Sequence, residues 1–202
     1  MNAEAMTGSD GRRTRPAQGP LATLAIMGIT AAIIVGVAFL VNQPSIASGV
    51  TAVTVSGSPT GEAPTMGKPA PDFTATDVDG KPVTLSSLKG QPVWLTFGAS
   101  WCQPCRAENP DIQATYEKFK ATGVVVIQVY MSESQAAVAD YTSRVGLTYL
   151  RVPDPDERLA SAYRILGIPS HFFIDRSGLL HAMKIGSLDL PAMEAALREI
   201  RG

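Results

Sequence analysis

Hydrophobic positions along this chain form one long continuous run, followed after a polar gap by shorter runs with alternating periodicities. The long run covers Leu21–Val41 without a charged residue. As a helix it would span about 31 Å, close to the hydrocarbon thickness of a bilayer. Three arginines precede the run, and the next Lys or Arg after it is Lys68. The positive-inside rule therefore predicts a cytoplasmic N-terminus, with everything after Val41 outside the cytoplasm.

This pattern predicts four segments: a cytoplasmic tail over 1–19, a transmembrane signal-anchor helix over 20–41, a flexible linker over 42–65 and a folded domain over 66–202. The linker is rich in Ser, Thr, Gly, Pro and Ala, which is typical of a flexible coil. A cleaved signal peptide is the alternative for the apolar run. The run is longer than the usual hydrophobic region of such a signal, which favours a single-pass anchor in the cytoplasmic membrane.

Within the folded domain, strand and helix patterns alternate in the order β-β-β-α-β-α-β-α-β-β-α. The apolar runs Val93–Phe97 and Val124–Tyr130 predict two buried strands. The turn sequences Asp77–Gly80 and Asp175–Gly178 each predict a hairpin between neighbouring strands. The order predicts an α/β fold with a mixed central sheet, helices on both faces and an N-terminal β-hairpin extension.

Capping signals predict where the helices of this domain begin. The first helix is expected from Cys102 to about residue 122. Ser132 with Gln135 predicts a capping box at the start of the second. Asp154 followed by Pro155 predicts an N-cap and a first-turn proline for the third.

Composition and charge narrow the possible functions. The net charge is −1, so the chain lacks the basic surface of a nucleic-acid-binding protein. Its two cysteines, Cys102 and Cys105, form one CxxC motif between a buried strand and a helix. That arrangement points to dithiol–disulfide exchange. Half of a metal site is the alternative for CxxC, but the sequence offers no second ligand pair, so neither a metal nor another cofactor is expected.

The two cysteines are predicted to have different roles. Cys102 lies just before the helix, where unpaired N–H groups and the helix dipole favour a negative charge, so it is the expected nucleophile. Cys105 follows about one helical turn later, so its sulfur can reach the first. It is the expected resolving thiol, which attacks the mixed disulfide and releases the substrate.

Four motifs carry a resemblance to a known family: Gly67–Phe73, Trp101–Cys105, Glu108–Pro110 and Gly167–Pro169. With them the chain resembles thioredoxin-fold proteins, and more closely the membrane-anchored thiol–disulfide oxidoreductases of the TlpA/ResA type in the AhpC/TSA-related redoxin superfamily. The resemblance covers about 66–202. It implies protein thiol or disulfide substrates outside the cytoplasm and a membrane thiol carrier as electron donor. It also implies a role in keeping the haem-binding cysteines of apocytochrome c, or other exported thiols, reduced.

The resemblance also implies roles for individual residues near the cysteines. Pro169 matches the family's cis-proline, which packs against the active-site disulfide, and Ile168 would lend its backbone to an extended substrate segment. Glu108 stands where this branch carries an acidic residue that relays protons to and from Cys105. Trp101 is expected to shield the disulfide and to contact the substrate.

Departures from related families bear on the alternative functions. Thr96 replaces the buried acid of ordinary thioredoxins, which argues against a part for Thr96 in proton transfer. His171 and His181 fall on predicted strands and receive no role. A copper carrier of the Sco type would need CxxxC and a histidine ligand. A peroxiredoxin-like peroxidase would need a threonine three residues before its cysteine, where this chain has Ala99.

Overall fold

The computed structural model describes residues 29–38, 54–55 and 63–202. The chain divides into two units, 1–48 and 49–202.

In the first unit the described residues form helix α1, over 29–38. None of the helices formed by the described residues has both the length and the apolar character needed to cross a bilayer. The rest of the predicted anchor 20–41, and the predicted tail 1–19, lie outside the described residues.

The second unit contains eight strands and four α-helices among its described residues. In chain order they are β1 (Thr54–Val55), β2 (Phe73–Thr76), β3 (Pro82–Thr84), β4 (Val93–Gly98), α2 (Gln103–Phe119), β5 (Val125–Met131), α3 (Gln135–Val145), β6 (Leu150–Asp154), α4 (Arg158–Ala162), β7 (Ser170–Ile174), β8 (Leu180–Ile185) and α5 (Leu190–Arg201). From β2 onward this order is the one that the sequence predicts. Short 3-10 helices cover Leu85–Leu88 and Lys120–Thr122.

The strands form two sheets. The larger has the order β6-β5-β4-β7-β8, with β4, β5 and β6 parallel and β7 and β8 antiparallel to their neighbours. This confirms the predicted mixed sheet. The smaller sheet is antiparallel, in the order β1-β2-β3, and contains the predicted N-terminal hairpin. Strand β1 lies within the stretch predicted as linker and pairs with Phe73 and Thr74.

The larger sheet has a hydrophobic core on each face, as alternate strand positions point to opposite sides. On one face Leu95 and Phe97 pack with Leu159 of α4 and with the β2–β3 hairpin. On the other face Trp94 packs with apolar residues of α2, α3 and α5. Helices α2 and α3 share that face because both connect parallel strands in the same direction across the sheet, and such crossovers are right-handed.

Two predicted helix starts are wrong in detail. Helix α3 is capped by Ser134, whose hydroxyl accepts the backbone N–H of Ala137, so the predicted capping box at Ser132 does not form. Asp154 is the last residue of β6 rather than the N-cap of α4. Its carboxylate nevertheless accepts the backbone N–H groups of Leu159 and Ala160. It therefore caps α4 from the preceding strand.

Sheet topology brings three chain segments to one edge. Parallel strands β4 and β5 both end there, so the loops after Gly98 and Met131 are neighbours. Strand β7 runs antiparallel to β4, and Ser170 at its start pairs with Phe97. The segment before Ser170 therefore lies beside the segment after β4, and the CxxC motif follows at the start of α2.

Candidate active site

The two cysteines form a disulfide at the start of α2. Cys102 is the N-cap residue, and Cys105 lies in the first turn of the helix. The exposed fraction is 6% for Cys102 and 1% for Cys105. Cys102 is thus the more accessible of the two residues. The predicted order of attack, in which Cys102 meets the substrate first, stays a prediction.

Backbone geometry at the helix start favours a thiolate at Cys102. The N–H group of Cys105 donates to the Cys102 sulfur at 3.2 Å. The first turn of α2 contains no acidic side chain that would oppose a negative charge. Free N–H groups and the positive end of the helix dipole stabilise an anion at this position. Once the disulfide is reduced, the same groups favour the thiolate form of Cys102.

The segment that contains Ile168 and Pro169 lies next to the disulfide. The Ile168–Pro169 peptide bond is cis. Ile168 packs against the small apolar cluster formed by Ala99 and the two cysteines. Pro169 is buried, and its carbonyl oxygen accepts the backbone N–H of Gly186 at 2.8 Å.

Trp101 lies on the surface next to the disulfide. Its side chain is exposed to 63%, whereas the following residue, Cys102, is buried. A large aromatic ring held in solvent beside a reactive sulfur offers apolar area to a partner. Its predicted contact with substrate stays a prediction.

Glu108 lies one turn beyond Cys105 on the buried side of α2. Its exposed fraction is 4%, and its Oε1 atom accepts the backbone N–H of Leu188 at 2.9 Å. Burial raises the pKa of Glu108 to about 7. The Leu188 N–H group opposes this rise, and the charge of Asp111 adds to it. A carboxyl group with a pKa near neutrality can both accept and release a proton. Among the described residues, no hydrogen bond joins Glu108 to either sulfur.

His171, which received no role from the sequence, faces Glu108. Its Nε2 atom lies 3.3 Å from Glu108 Oε1, and both side chains are inaccessible to solvent. Burial lowers the pKa of His171 to about 4, so the ring is neutral at pH 7 and the contact is not an ion pair. The only feature of the sequence that could have pointed to His171 is its position two residues after Pro169.

Glu133 is a second residue that the sequence did not single out. It lies in the loop after β5 and is 7% exposed. Its carboxylate accepts the backbone N–H of Ser100 at 2.7 Å and also contacts the Ser100 hydroxyl. This ties the loop that precedes Trp101 and Cys102 to the loop after β5. No local pattern around Glu133 predicts the contact, because Ser100 is far away in the chain.

Behind Cys105 lies a buried set of amide and phenol groups. Gln128 donates to Asn109 Oδ1 at 3.0 Å and accepts from the hydroxyls of Tyr130 and Tyr149, at 2.8 and 2.6 Å. A fourth bond runs from Asn109 to the Tyr141 hydroxyl, at 2.9 Å.

Gly98 separates this network from the disulfide. A Cβ atom built on Gly98 would lie 3.1 Å from Gln128 Nε2 and 3.4 Å from the Cys105 sulfur. The missing side chain thus lets the helix and the strand approach closely.

No group of three or more His, Cys, Asp or Glu side chains in the described part of the chain is arranged to hold a metal ion.

Comparison with known proteins agrees with this geometry. Residues 66–183 match the AhpC/TSA family. The thiol-disulfide oxidoreductase ResA of Bacillus thuringiensis (strain Al Hakam) is 33% identical over 135 residues, which cover 67% of this chain and 78% of that protein. ResA of Bacillus subtilis (strain 168) is 34% identical over 122 residues, covering 60% of this chain and 68% of that protein.

Solved structures show the same fold. A thiol:disulfide interchange protein of the thioredoxin family from Chlorobium tepidum TLS superposes with a TM-score of 0.63 at 29% identity, covering 69% of this chain and 100% of that one. StoA from Bacillus subtilis superposes with a TM-score of 0.57 at 28% identity, covering 65% of this chain and 98% of that one. The chain therefore belongs to the AhpC/TSA family, and it is a thiol–disulfide oxidoreductase with a thioredoxin-like fold.

Proposed function

We propose that the protein works outside the cytoplasm and reduces or exchanges disulfides of protein substrates, with Cys102 as nucleophile and Cys105 as resolving thiol. One observation carries the proposal. Cys102 is the more exposed of the two cysteines, and its sulfur accepts a hydrogen bond from the Cys105 N–H group at a helix start. That sulfur is the one best prepared to be a thiolate, and the thiolate is the attacking species.

The exchange proceeds in two balanced steps. The Cys102 thiolate attacks one sulfur of a substrate disulfide, a Cys102–substrate bond forms, and the other substrate sulfur leaves as a thiolate. Cys105 then loses its proton and attacks the Cys102 sulfur, which releases the second substrate thiolate. The substrate gains two electrons, and the enzyme is left with the Cys102–Cys105 disulfide.

Glu108 is the proposed proton acceptor of the second step. Cys105 is buried, so bulk water does not reach its thiol readily, whereas Glu108 follows one turn later on the same buried side of α2. The raised pKa of Glu108, about 7, suits a group that takes a thiol proton and later returns it. Its role is thus to let Cys105 react without a solvent base.

The proposed substrate-binding site surrounds the Cys102 sulfur. Trp101 supplies an exposed aromatic face, and Ile168 with cis Pro169 supplies a backbone segment beside the disulfide. An extended polypeptide can add to such a segment as a short strand, so that its cysteine meets Cys102. This binding site fits unfolded protein chains better than small thiols.

The proposed location follows from the N-terminal pattern. The uncharged run 20–41 would anchor the protein, and the linker 42–65 would carry the domain 66–202 on the outer side of the cytoplasmic membrane. A thiol carrier in the same membrane would then reduce the disulfide again. The haem-binding cysteines of an apocytochrome c are the proposed substrate, since they must be reduced outside the cytoplasm before haem is attached.

Substrate trapping in the native membrane tests the proposal. The Cys105→Ser variant keeps the nucleophile but lacks the resolving thiol, so we expect it to accumulate a mixed disulfide that reducing agent releases. The Cys102→Ser variant is the matched control, and we expect it to trap nothing and to have no insulin-reducing activity. Equal trapping by both variants, or normal insulin reduction by Cys102→Ser, would contradict the assignment.

A protease experiment tests the location independently. We expect a protease added outside intact spheroplasts to digest the domain, and a cytoplasmic marker to survive. Survival of the domain in this treatment, together with its digestion after lysis, would place it in the cytoplasm and overturn this part of the proposal.

A further inference from the structure

A fully buried histidine lies against the proposed proton acceptor. His171 is the second residue of β7, and Glu108 lies on α2. The distance between His171 Nε2 and Glu108 Oε1 is 3.3 Å. The exposed fractions of the two side chains are 0% and 2%. Two polar side chains removed from water depend on each other or on nearby backbone groups for hydrogen bonds.

Trp94 determines which nitrogen of His171 carries the proton. Its indole N–H lies 3.3 Å from His171 Nδ1, and an indole nitrogen can only donate. His171 Nδ1 is therefore the acceptor, and the single proton of the neutral imidazole is on Nε2. That N–H group is the one that faces Glu108. Phe173 stacks on Trp94 with 5.4 Å between ring centroids, which holds the indole in place.

Few other groups act on the Glu108 carboxyl group. Oε1 accepts the Leu188 N–H, and Oε2 has no hydrogen-bond partner among the described residues. Asp111 on the same helix adds a repulsive charge, and the Tyr149 phenol beside β6 is within electrostatic reach. On the histidine side, a hydrogen bond to the Gly186 backbone partly opposes the lowering of the pKa of His171 by burial. A donor from His171 is thus the main additional support available to an ionised Glu108.

The cross-strand neighbour of His171 adds no support of its own. Thr96 pairs with His171 in the β4–β7 ladder, and its hydroxyl also lacks a hydrogen-bond partner among the described residues. Directly paired residues of antiparallel strands point to the same face of a sheet. A hydroxyl without a hydrogen-bond partner among the described residues therefore lies on the same face of the sheet as the imidazole.

We propose that His171 is a positioning residue for disulfide exchange, because its Nε2–H group bonds the ionised Glu108 and holds it ready to take the proton of Cys105. The inference rests on the proposed role of Glu108. Before the second step, Glu108 is ionised and accepts from His171. When the Cys105 proton moves to Glu108, the carboxyl group becomes neutral and this bond weakens. In the structure the disulfide is formed, which is the state after that transfer. The 3.3 Å contact between His171 Nε2 and Glu108 Oε1 is not a hydrogen bond in this state.

Two substitutions at position 171 test the donor. His171→Leu removes the N–H group and keeps an apolar volume, whereas His171→Gln keeps an amide donor that does not titrate. In the full-length protein we expect the pH midpoint of the Cys105-dependent release step to rise by about one unit in His171→Leu. In His171→Gln it should stay close to the wild-type value. An unchanged midpoint in folded His171→Leu would overturn the inference.

An infrared titration separates this inference from the proposed function. The carbonyl band of protonated Glu108 is identified by its loss in Glu108→Gln, and its midpoint is followed with pH in each variant. A band midpoint that shifts in His171→Leu supports the coupling to Glu108 even if activity is lost. If Glu108→Gln leaves the release rate unchanged, the proposed role of Glu108 fails, and with it the catalytic part of this inference.

Two further variants complete the test. His181→Leu removes a surface histidine that lies 3.6 Å from Glu199 with both side chains exposed, and it should leave the midpoint unchanged. Trp94→Phe keeps an aromatic ring but removes the donor to His171 Nδ1, so the proton of the imidazole is no longer confined to Nε2. The pH midpoint of the release step should therefore rise. If His171→Leu does not fold, Trp94→Phe decides the matter, because a wild-type midpoint there would contradict the inference.

Discussion

The carboxylate of Glu133 accepts the backbone N–H of Ser100 at 2.7 Å and also contacts the Ser100 hydroxyl. Ser100 is two residues before the nucleophile, and Glu133 follows the neighbouring parallel strand. The contact therefore joins two loops at the same edge of the sheet. The Glu133 side chain accepts from the backbone of the loop that leads into the CxxC motif, so we regard this pair as a restraint on that loop.

Glu133→Ala should weaken both stability and activity. It leaves the Ser100 N–H without an acceptor in a partly buried loop, and we expect the free energy of unfolding to fall by roughly 2 kcal/mol. We also expect slower insulin reduction, because Trp101 and Cys102 follow that loop directly. Urea unfolding and an insulin assay measure the two effects. Glu199→Ala, which removes an exposed glutamate of α5, should change neither, and equal losses in both variants would contradict this account.

Gly98→Ala should be costly because of what surrounds the missing side chain. The added carbon would lie 3.1 Å from Gln128 Nε2 and 3.4 Å from the Cys105 sulfur. We expect a loss of about 1–2 kcal/mol in the free energy of unfolding, measured in urea. A methyl group on Gly167 would meet nothing within 4 Å. Gly167→Ala should therefore stay within about 0.5 kcal/mol of wild type, and a similar loss in both variants would exclude crowding as the cause.

Gln128→Leu should destabilise the protein more than Tyr130→Phe. Leucine removes the acceptor shared by Tyr130 and Tyr149 and the donor to Asn109, so several buried polar groups lose a partner. We expect a cost of about 3 kcal/mol or more for Gln128→Leu. Tyr130→Phe should cost about 1 kcal/mol, since Gln128 keeps its bond from Tyr149. Denaturant curves that rank the two variants in the opposite order would show that the network contributes little.

Glu108 and His171 should act on stability in opposite directions as pH changes. Burial raises the pKa of Glu108 from 4.5 to about 7. Between these values the folded protein binds more protons than the unfolded chain, so stability falls as pH rises. Burial lowers the pKa of His171 from 6.5 to about 4. There the unfolded chain binds more protons, so stability rises with pH. The two slopes oppose each other where the ranges overlap, between pH 4.5 and 6.5.

Single variants should separate these slopes. In Glu108→Gln the rise in stability that His171 causes between about pH 4 and 6.5 should remain. In His171→Leu the fall in stability with rising pH that Glu108 causes should remain. This fall should extend above pH 7, because Glu108 has lost a hydrogen-bond donor. Each slope can reach at most about 1.4 kcal/mol per pH unit. Urea unfolding at a series of pH values measures them, and parallel curves for the two variants would contradict the assignment.

The two helix starts that differ from prediction show why helix ends depend on tertiary contacts. Ser132 and Ser134 are equally good caps by residue type. In the structure β5 continues to Met131, Ser132 has a φ of 57°, and its hydroxyl contacts Glu157. Helix α3 therefore begins after Ser134. Asp154 does bond to the first turn of α4, but it does so from within β6 because that strand continues past Val152.

The sequence alone determined the element order, both hairpins and the disulfide pair, and the family resemblance implied the position of the cis-proline. The first three features depend on local periodicity, on turn residues and on the spacing of the CxxC motif, all of which lie within a few consecutive residues. Only the tertiary structure decided that His171 faces Glu108, that Glu133 holds Ser100, and that Gln128 lies behind Cys105. Each of those pairs joins residues far apart in the chain. Their chemistry depends on burial, which removes water as the competing partner and which no local pattern specifies.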